Sequence, residues 1–166
     1  MSRIVVGVMG PGEGATDQES SLAYELGGLI AQEGWVLLTG GRRAGVMDAA
    51  SRGAQAAQGT VVGILPGADV TGMSAAVDIP IITGMREARN NINVLSSRIL
   101  FFIGMNAGTA SELALALKAG RPAILIGRRD DVARVFMPMA TGCFEMVDDA
   151  ASAMQTARRL LAAEAQ

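Results

Sequence analysis

The chain has 166 residues, 50% of them hydrophobic, enough for one well-buried core and too few for two ordinary domains, so a single domain over 1–166 is expected. Its formal charge of -2, from 14 basic and 16 acidic residues, creates no field that would draw nucleic acid or an anionic membrane surface. One cysteine and no histidine exclude an internal disulfide, a Cys/His zinc site and any histidine-based triad, and no metal is expected.

The N-terminus "MSRIVVGVMG" has one early Arg and a short apolar run leading straight into Gly/Pro, without a cleavage-site pattern. No run reaches the roughly 20 apolar residues of a membrane span. A cytoplasmic protein is expected.

The first predicted strand is "RIVVGVM" (3–9), followed by "GPGEGA" (10–15). Glycines at 10, 12 and 14 miss the G-x-G-x-x-G spacing, so on its own the loop reads as a tight strand-to-helix turn. A helix over 17–33 places Leu22, Leu26, Leu29 and Ile30 on one face, with Thr16 or Asp17 as its cap. The strand "WVLLT" (35–39) runs into "TGGRRAGVMD" (39–48), where Gly40 and Gly41 end the strand and Gly45 opens a helix over 45–57. Arg42 and Arg43 between them read either as a solvated basic turn or as ligands of a phosphate or carboxylate.

Strands "TVVGIL" (60–65) and "DIPII" (78–82) follow, with the loops "PGAD" (66–69) and "TGMREARNN" (83–91) at their ends. A helix over 86–96 would put Arg86, Arg89 and Asn93 on a common face, with Arg89 and Asn90 near its start. After the strand "RILFFI" (98–103), the loop "GMNAGTASE" (104–112) opens a helix over 109–119. There Thr109 and Glu112 match the S/T-x-x-E capping box, a structural explanation for the acid. The remaining elements are the strand 122–126, a helix over 130–137, the strand 144–147, and a helix over 148–164 with Asp148 at its start and Arg158 and Arg159 towards its end. G-x-x-x-x-G-K-[ST] is absent, which excludes a P-loop NTPase.

Strands alternate with helices along the whole chain, and most strands are continuously apolar, as parallel strands covered on both faces are. The expected fold is a single-domain α/β, doubly wound and Rossmann-like, with a mostly parallel sheet of about seven strands and helices on both faces. Such sheets bind ligands beyond the carboxyl ends of their strands. Five Gly-rich segments fall there, offering backbone N–H groups and helix N-termini suited to anions, above all phosphate.

Together these segments resemble the LONELY GUY (LOG) family, phosphoribohydrolases once described as lysine decarboxylases, and its wider Rossmann-like superfamily. The family segment G-G-G-x-x-G-x-M is matched by "GGRRAGVM" (40–47), with Arg42 in place of the third glycine. P-G-G-x-G-T-x-x-E is matched at Gly108, Thr109 and Glu112. Counting back from Thr109, the family's catalytic Arg falls on Arg89, and its catalytic Glu on Glu112; the resemblance spans about residues 3 to 127. The wording of "GGRRAGVMDAASRGAQAAQGTVVGILPG" and "GTASELALALKAGRPAILI" is closer to a bacterial side branch that includes the molybdenum-cofactor carrier proteins. That branch implies a scaffold for a phosphate-bearing pterin, assembled as a homodimer or homotetramer.

Two departures matter: Asn90 stands where the enzymes have Lys, and Gly104-Met105-Asn106-Ala107 stands where they have P-G-G-x. Asn106 can adopt a glycine-like conformation, but Met105 adds a side chain where a phosphate would approach bare backbone.

Three functions follow. The preferred one is binding of a small phosphorylated ligand, molybdenum cofactor or a nucleotide, with no cofactor required for chemistry. Gly10, Gly12, Gly40, Gly41, Gly45, Gly108 and Thr109 would be donors, Arg42 and Arg43 would bring charge, and Asn90 and Asn106 would complete the cradle. The second is hydrolysis of a nucleoside 5'-monophosphate, with Glu112 and Arg89 catalytic and lysine decarboxylation excluded. The third is an interaction module whose cleft is blocked by Met105.

Overall fold

Seven short runs of Val, Ile, Leu and Phe form strands: β1 Val5–Met9, β2 Val36–Thr39, β3 Thr60–Leu65, β4 Ile79–Ile82, β5 Ile99–Ile103, β6 Ala123–Ile126 and β7 Phe144–Val147. Every pairing is parallel, in the order β4-β3-β2-β1-β5-β6-β7. The doubly wound α/β reading therefore holds, and the "mostly" parallel sheet is wholly parallel among the described residues. The computed structural model describes residues 3–164; residues 1, 2, 165 and 166 of the expected domain lie outside them.

The chain enters at the centre of the sheet. β1 pairs with β2 on one side, and after β4 the chain returns to place β5 on its other side. This reversal of winding between β1 and β5 leaves a crevice above their carboxyl ends, because the connections depart in opposite directions there.

Alternation along the strands builds two apolar layers. Val6, Val8, Ile99, Phe101 and Ile103 point into a layer covered by α1 (Asp17–Gln32), α2 (Gly45–Ala56) and α6 (Ala150–Glu164). Met9, Leu100 and Phe102 point into the opposite layer, under α3 (Asn90–Ser96), α4 (Ala107–Lys118) and α5 (Asp130–Phe136). The edge strand β4 differs: all four of its residues are exposed, so the apolar run there reflects an edge limited by its shortness and by Pro80.

Helix starts refine the sequence reading. Thr16 caps α1, forming a full capping box with Glu19. The stretch 86–96 divides into a 3-10 turn, Arg86–Arg89, and α3. α4 begins at Ala107 with Asn106 as its cap, two residues before the expected start, so Thr109 is not the cap. At α6 it is Asp149, not Asp148, that accepts the first-turn N–H, from Ser152 at 2.7 Å.

α1 and α2 pack so closely that glycines form the contact. A Cβ on Gly27 would collide with the Ala50 carbonyl, and one on Gly53 with the Tyr24 carbonyl. Gly28, next to Gly27, has its nearest atom at 3.6 Å. Gly53→Ala is expected to destabilise by about 1–3 kcal/mol through overpacking, whereas Gly28→Ala should stabilise by roughly 0.5–1 kcal/mol through helix propensity. Urea denaturation of both variants checks this; equal effects would show that α1 and α2 do not meet through Gly53.

Candidate functional site

The crevice at the switch point holds a cavity of about 350 Å³, within the range of small-molecule sites. β1 and its loop contribute Val8, Met9, Gly10 and Gly12, and the segment after β2 contributes Gly40, Arg42 and Met47. Pro66 follows β3, and Arg86, Glu87, Arg89 and Asn90 follow β4. Asn106, Gly108, Thr109 and Glu112 come from the start of α4.

Gly41, Arg43 and Gly45, also expected at the ligand, lie outside this lining. Gly41 donates its N–H to Thr39 Oγ1 at 3.0 Å and accepts from Ser74 N at 2.9 Å, so its backbone groups are engaged by the protein. Gly45 packs against the carbonyls of Pro11 and Gly12, letting α2 close on the β1 loop, and Val46 N donates to Pro11 O at 3.0 Å. Arg43 is exposed and turns its N–H to Gly72 O.

Beneath the cavity sits a buried polar cluster. Arg89 is 8% exposed, and its Nη1 donates to Gly40 O at 2.7 Å and to Ile64 O at 2.5 Å. Through Nη1 its guanidinium thus ties the ends of β2 and β3. Gly40 has no side chain because a Cβ would strike that guanidinium. Arg86 does not share this environment: the 3-10 turn and its own backbone leave it exposed while Arg89 is buried.

Glu112 is also 8% exposed, and one carboxylate oxygen accepts from Asn93 Nδ2 at 2.8 Å. The capping-box reading of Glu112 is therefore wrong. Asn106 Oδ1 takes that place, accepting from Thr109 N at 2.9 Å and from Thr109 Oγ1 at 3.0 Å. Burial pushes the Glu112 carboxyl from the ordinary 4.5 up to about 7, against the opposing pull of the Asn93 hydrogen bond and the Arg89 charge. Burial likewise lowers Arg89, with Glu112 opposing the change. A carboxyl half-neutral near pH 7 repels a neighbouring anion far less than an ionised one does. Arg89 Nε and Asn93 Oδ1 are buried without a protein partner, so polar capacity is left over beside the cavity.

The first turn of α4 forms the other wall. Ala107 and Gly108 have N–H groups that no intrahelical carbonyl can reach, and Gly108 lines the cavity. A Cβ on Gly108 would meet only Asn106 Oδ1, at 3.4 Å, so the protein itself does not demand glycine there. Asn90 Nδ2 donates to Ser111 Oγ at 2.8 Å, and Ser111 Oγ donates to Gly108 O at 2.7 Å, holding this turn against α3. Met105 packs into the apolar layer beside α4 and does not line the cavity, so the blocked-cleft reading is not supported.

The sequence reading did not place Arg86, Glu87, Pro66, Met9, Met47 or Val8 at the cavity. For Arg86 the available signal was its place at the head of the loop after β4, at the ligand edge. Its φ of 50 is the left-handed region, uncommon for a side-chain-bearing residue. Arg42, also on the lining, pairs with Glu13 at 3.2 Å, both exposed.

A doubly wound domain with a glycine-lined, partly cationic cleft at its switch point is a small-molecule binding scaffold of the Rossmann-like class. Residues 3–157 match the model of the SLOG cluster4 family, and the chain belongs to that family. It is similar to the molybdenum cofactor binding protein from the phototrophic bacterium Rippkaea orientalis: 45% identity, 97% of this chain and 99% of that one covered, TM-score 0.95. The Moco carrier protein from Chlamydomonas reinhardtii is 46% identical over 97% of this chain and 99% of its own, with a TM-score of 0.91. A protein of Archaeoglobus fulgidus is 45% identical over 122 residues, 73% of this chain and 78% of that one. The resemblance drawn from the sequence, including its branch, is borne out.

The shift at Glu112 has a stability consequence. Its folded-state pKa lies above the unfolded value, so the folded protein holds the extra proton between about 4.5 and about 7, and stability falls as pH rises through that window. Glu112→Gln removes the burden of an ionised buried acid and keeps an acceptor for Asn93. The variant should gain on the order of 3 kcal/mol over the wild type at pH 8, and the gain should vanish towards pH 4.5. Denaturant midpoints at several pH values test this; a difference independent of pH would contradict it.

Proposed function

We propose that the chain binds molybdenum cofactor, a phosphate-bearing pterin, in the cleft over the carboxyl ends of β1, β2 and β5, and carries it without transforming it. The observation that carries this reading is likeness at 45–46% identity across nearly the full length to a molybdenum cofactor binding protein and a Moco carrier protein. The local chemistry supports it: a cavity of about 350 Å³, unpaired N–H groups at the start of α4, and two arginines at the rim. Gly108, free of any packing demand, is the position at which a ligand would approach bare backbone.

Phosphoribohydrolysis is the less favoured reading. It asks for an ionised carboxylate aimed at a sugar and an Arg free for the substrate. Here Glu112 is bonded to Asn93 with its pKa raised to about 7, and Arg89 is bonded to two carbonyls. The carrier reading extends to a cytoplasmic homo-oligomer with no nucleic-acid partner. No helix among the described residues is long and apolar enough to cross a membrane, and exposed Leu95, Val135, Met137 and Met139 offer apolar surface for self-association.

The test is to incubate purified protein with molybdenum cofactor, separate it by gel filtration with light scattering, and quantify the oxidised pterin by fluorescence. Stoichiometric pterin co-eluting with an oligomer is expected; its absence would overturn the reading. Gly108→Ala should keep or raise the melting temperature while weakening retention about tenfold, equivalent to about 1.4 kcal/mol. Nucleobase release from nucleoside 5'-monophosphates should be absent, and release that disappears in Glu112→Gln would establish a hydrolase instead.

A further inference from the structure

Of the cationic side chains lining the cavity, Arg42, Arg86 and Arg89, the one at the family's catalytic position has its Nη1 committed to the protein's own backbone. Arg89 is buried and bonded to the carbonyls of Gly40 and Ile64. The neighbouring site where the LOG enzymes carry Lys is Asn90, whose amide is bonded to Ser111. The exposed cationic side chains on the lining are those of Arg42 and Arg86.

The backbone of Arg86 is pinned on both sides: its own N–H donates to Pro66 O at 3.0 Å, and Met85 N donates to Thr83 Oγ1 at 3.2 Å, while Thr83 Oγ1 donates to Leu65 O at 2.7 Å. These bonds hold Arg86 at a φ of 50, a conformation glycine adopts without strain. Two residues earlier, a φ of 63 is met by Gly84. Arginine at 86 therefore keeps a side chain where the backbone favours none. That side chain is exposed at the cavity and makes no hydrogen bond or ion pair among the described residues.

Arg42, on the same lining, comes from the segment after β2. Among the described residues its side chain is held by Glu13 at 3.2 Å, with Arg42 44% and Glu13 87% exposed, a contact weak enough for a phosphate to displace. Glu87 is the acid beside Arg86 on the lining, and it forms no ion pair with Arg86. We propose that Arg86 and Arg42 together grip the ligand's phosphate at the cleft they line, with Arg86 supplying the charge the enzymes take from Lys. This rests on the reading of the cleft as a site for a phosphate-bearing ligand, and names its anion-selecting residues.

The experiment measures dissociation constants of molybdenum cofactor and of GMP at low and moderate salt, for the wild type, Arg86→Gln, Arg86→Gly and Arg42→Gln, with a melting curve for each. The grip predicts a rise of tenfold or more in the dissociation constant of any probe the wild type binds, and a shallower salt dependence. It also predicts that Arg86→Gly melts no lower than the wild type, because the strain is relieved while the grip is lost. Wild-type affinity from Arg86→Gln, or a fall in melting temperature in Arg86→Gly that accounts for its weaker binding, would overturn the grip and leave the carrier reading intact. Binding of GMP but not molybdenum cofactor, lost in Arg86→Gln, would support the grip and sink the carrier reading. A wild type that binds neither probe overturns both.

Discussion

A single buried guanidinium joins the backbone segments beneath the cleft. Arg89 comes from the turn before α3, yet its Nη1 bonds the carbonyl of Gly40 at the end of β2 and that of Ile64 in β3. It thereby ties three connections that leave the sheet on the same side of the switch point. Burying that charge is tolerable because carbonyl dipoles accept from it and Glu112 lies opposite, raising its pKa against the effect of burial. Gly40 must lack a side chain to admit the guanidinium, so a glycine that looks made for a ligand also serves the protein's own geometry.

The same contact explains why a matching motif is an incomplete guide to role. Arg89 and Glu112 stand at the family's catalytic spacing, and the structure does bring both to one cavity. The guanidinium bonds backbone through Nη1, and the carboxyl, held by Asn93 and deprived of water, has its pKa pushed up to about 7. An acid in that state repels a neighbouring anion less than a fully ionised carboxylate would.

Fold and strand positions were readable because parallel strands buried on both faces leave unbroken apolar runs, and Phe101 and Phe102 on successive positions fill opposite layers. Helix starts were less readable, since several side chains competed for one cap. Asn106, Thr109 and Glu112 can all cap by residue type; the end of β5 at Ile103 and the tight turn after it put Asn106 in place, which frees Glu112 to turn inward. Spacing also failed between Arg86 and Arg89. A regular helix would have placed them on one face, but a 3-10 turn entered through a left-handed residue sends one to the rim and the other to the core. Local backbone geometry of this kind leaves no periodic trace in a sequence.

These separations give the cleft two levels with different physical behaviour. The lower level is desolvated, with Asn93 bonded to Glu112 and Arg89 bonded to backbone carbonyls, so salt screens it little. The upper level, Arg42 and Arg86 with exposed acids beside them, lies in water, where charge interactions are screened and exchange quickly. The distribution of burial thus sets a fixed polar base beneath an exposed, exchangeable ring of charge.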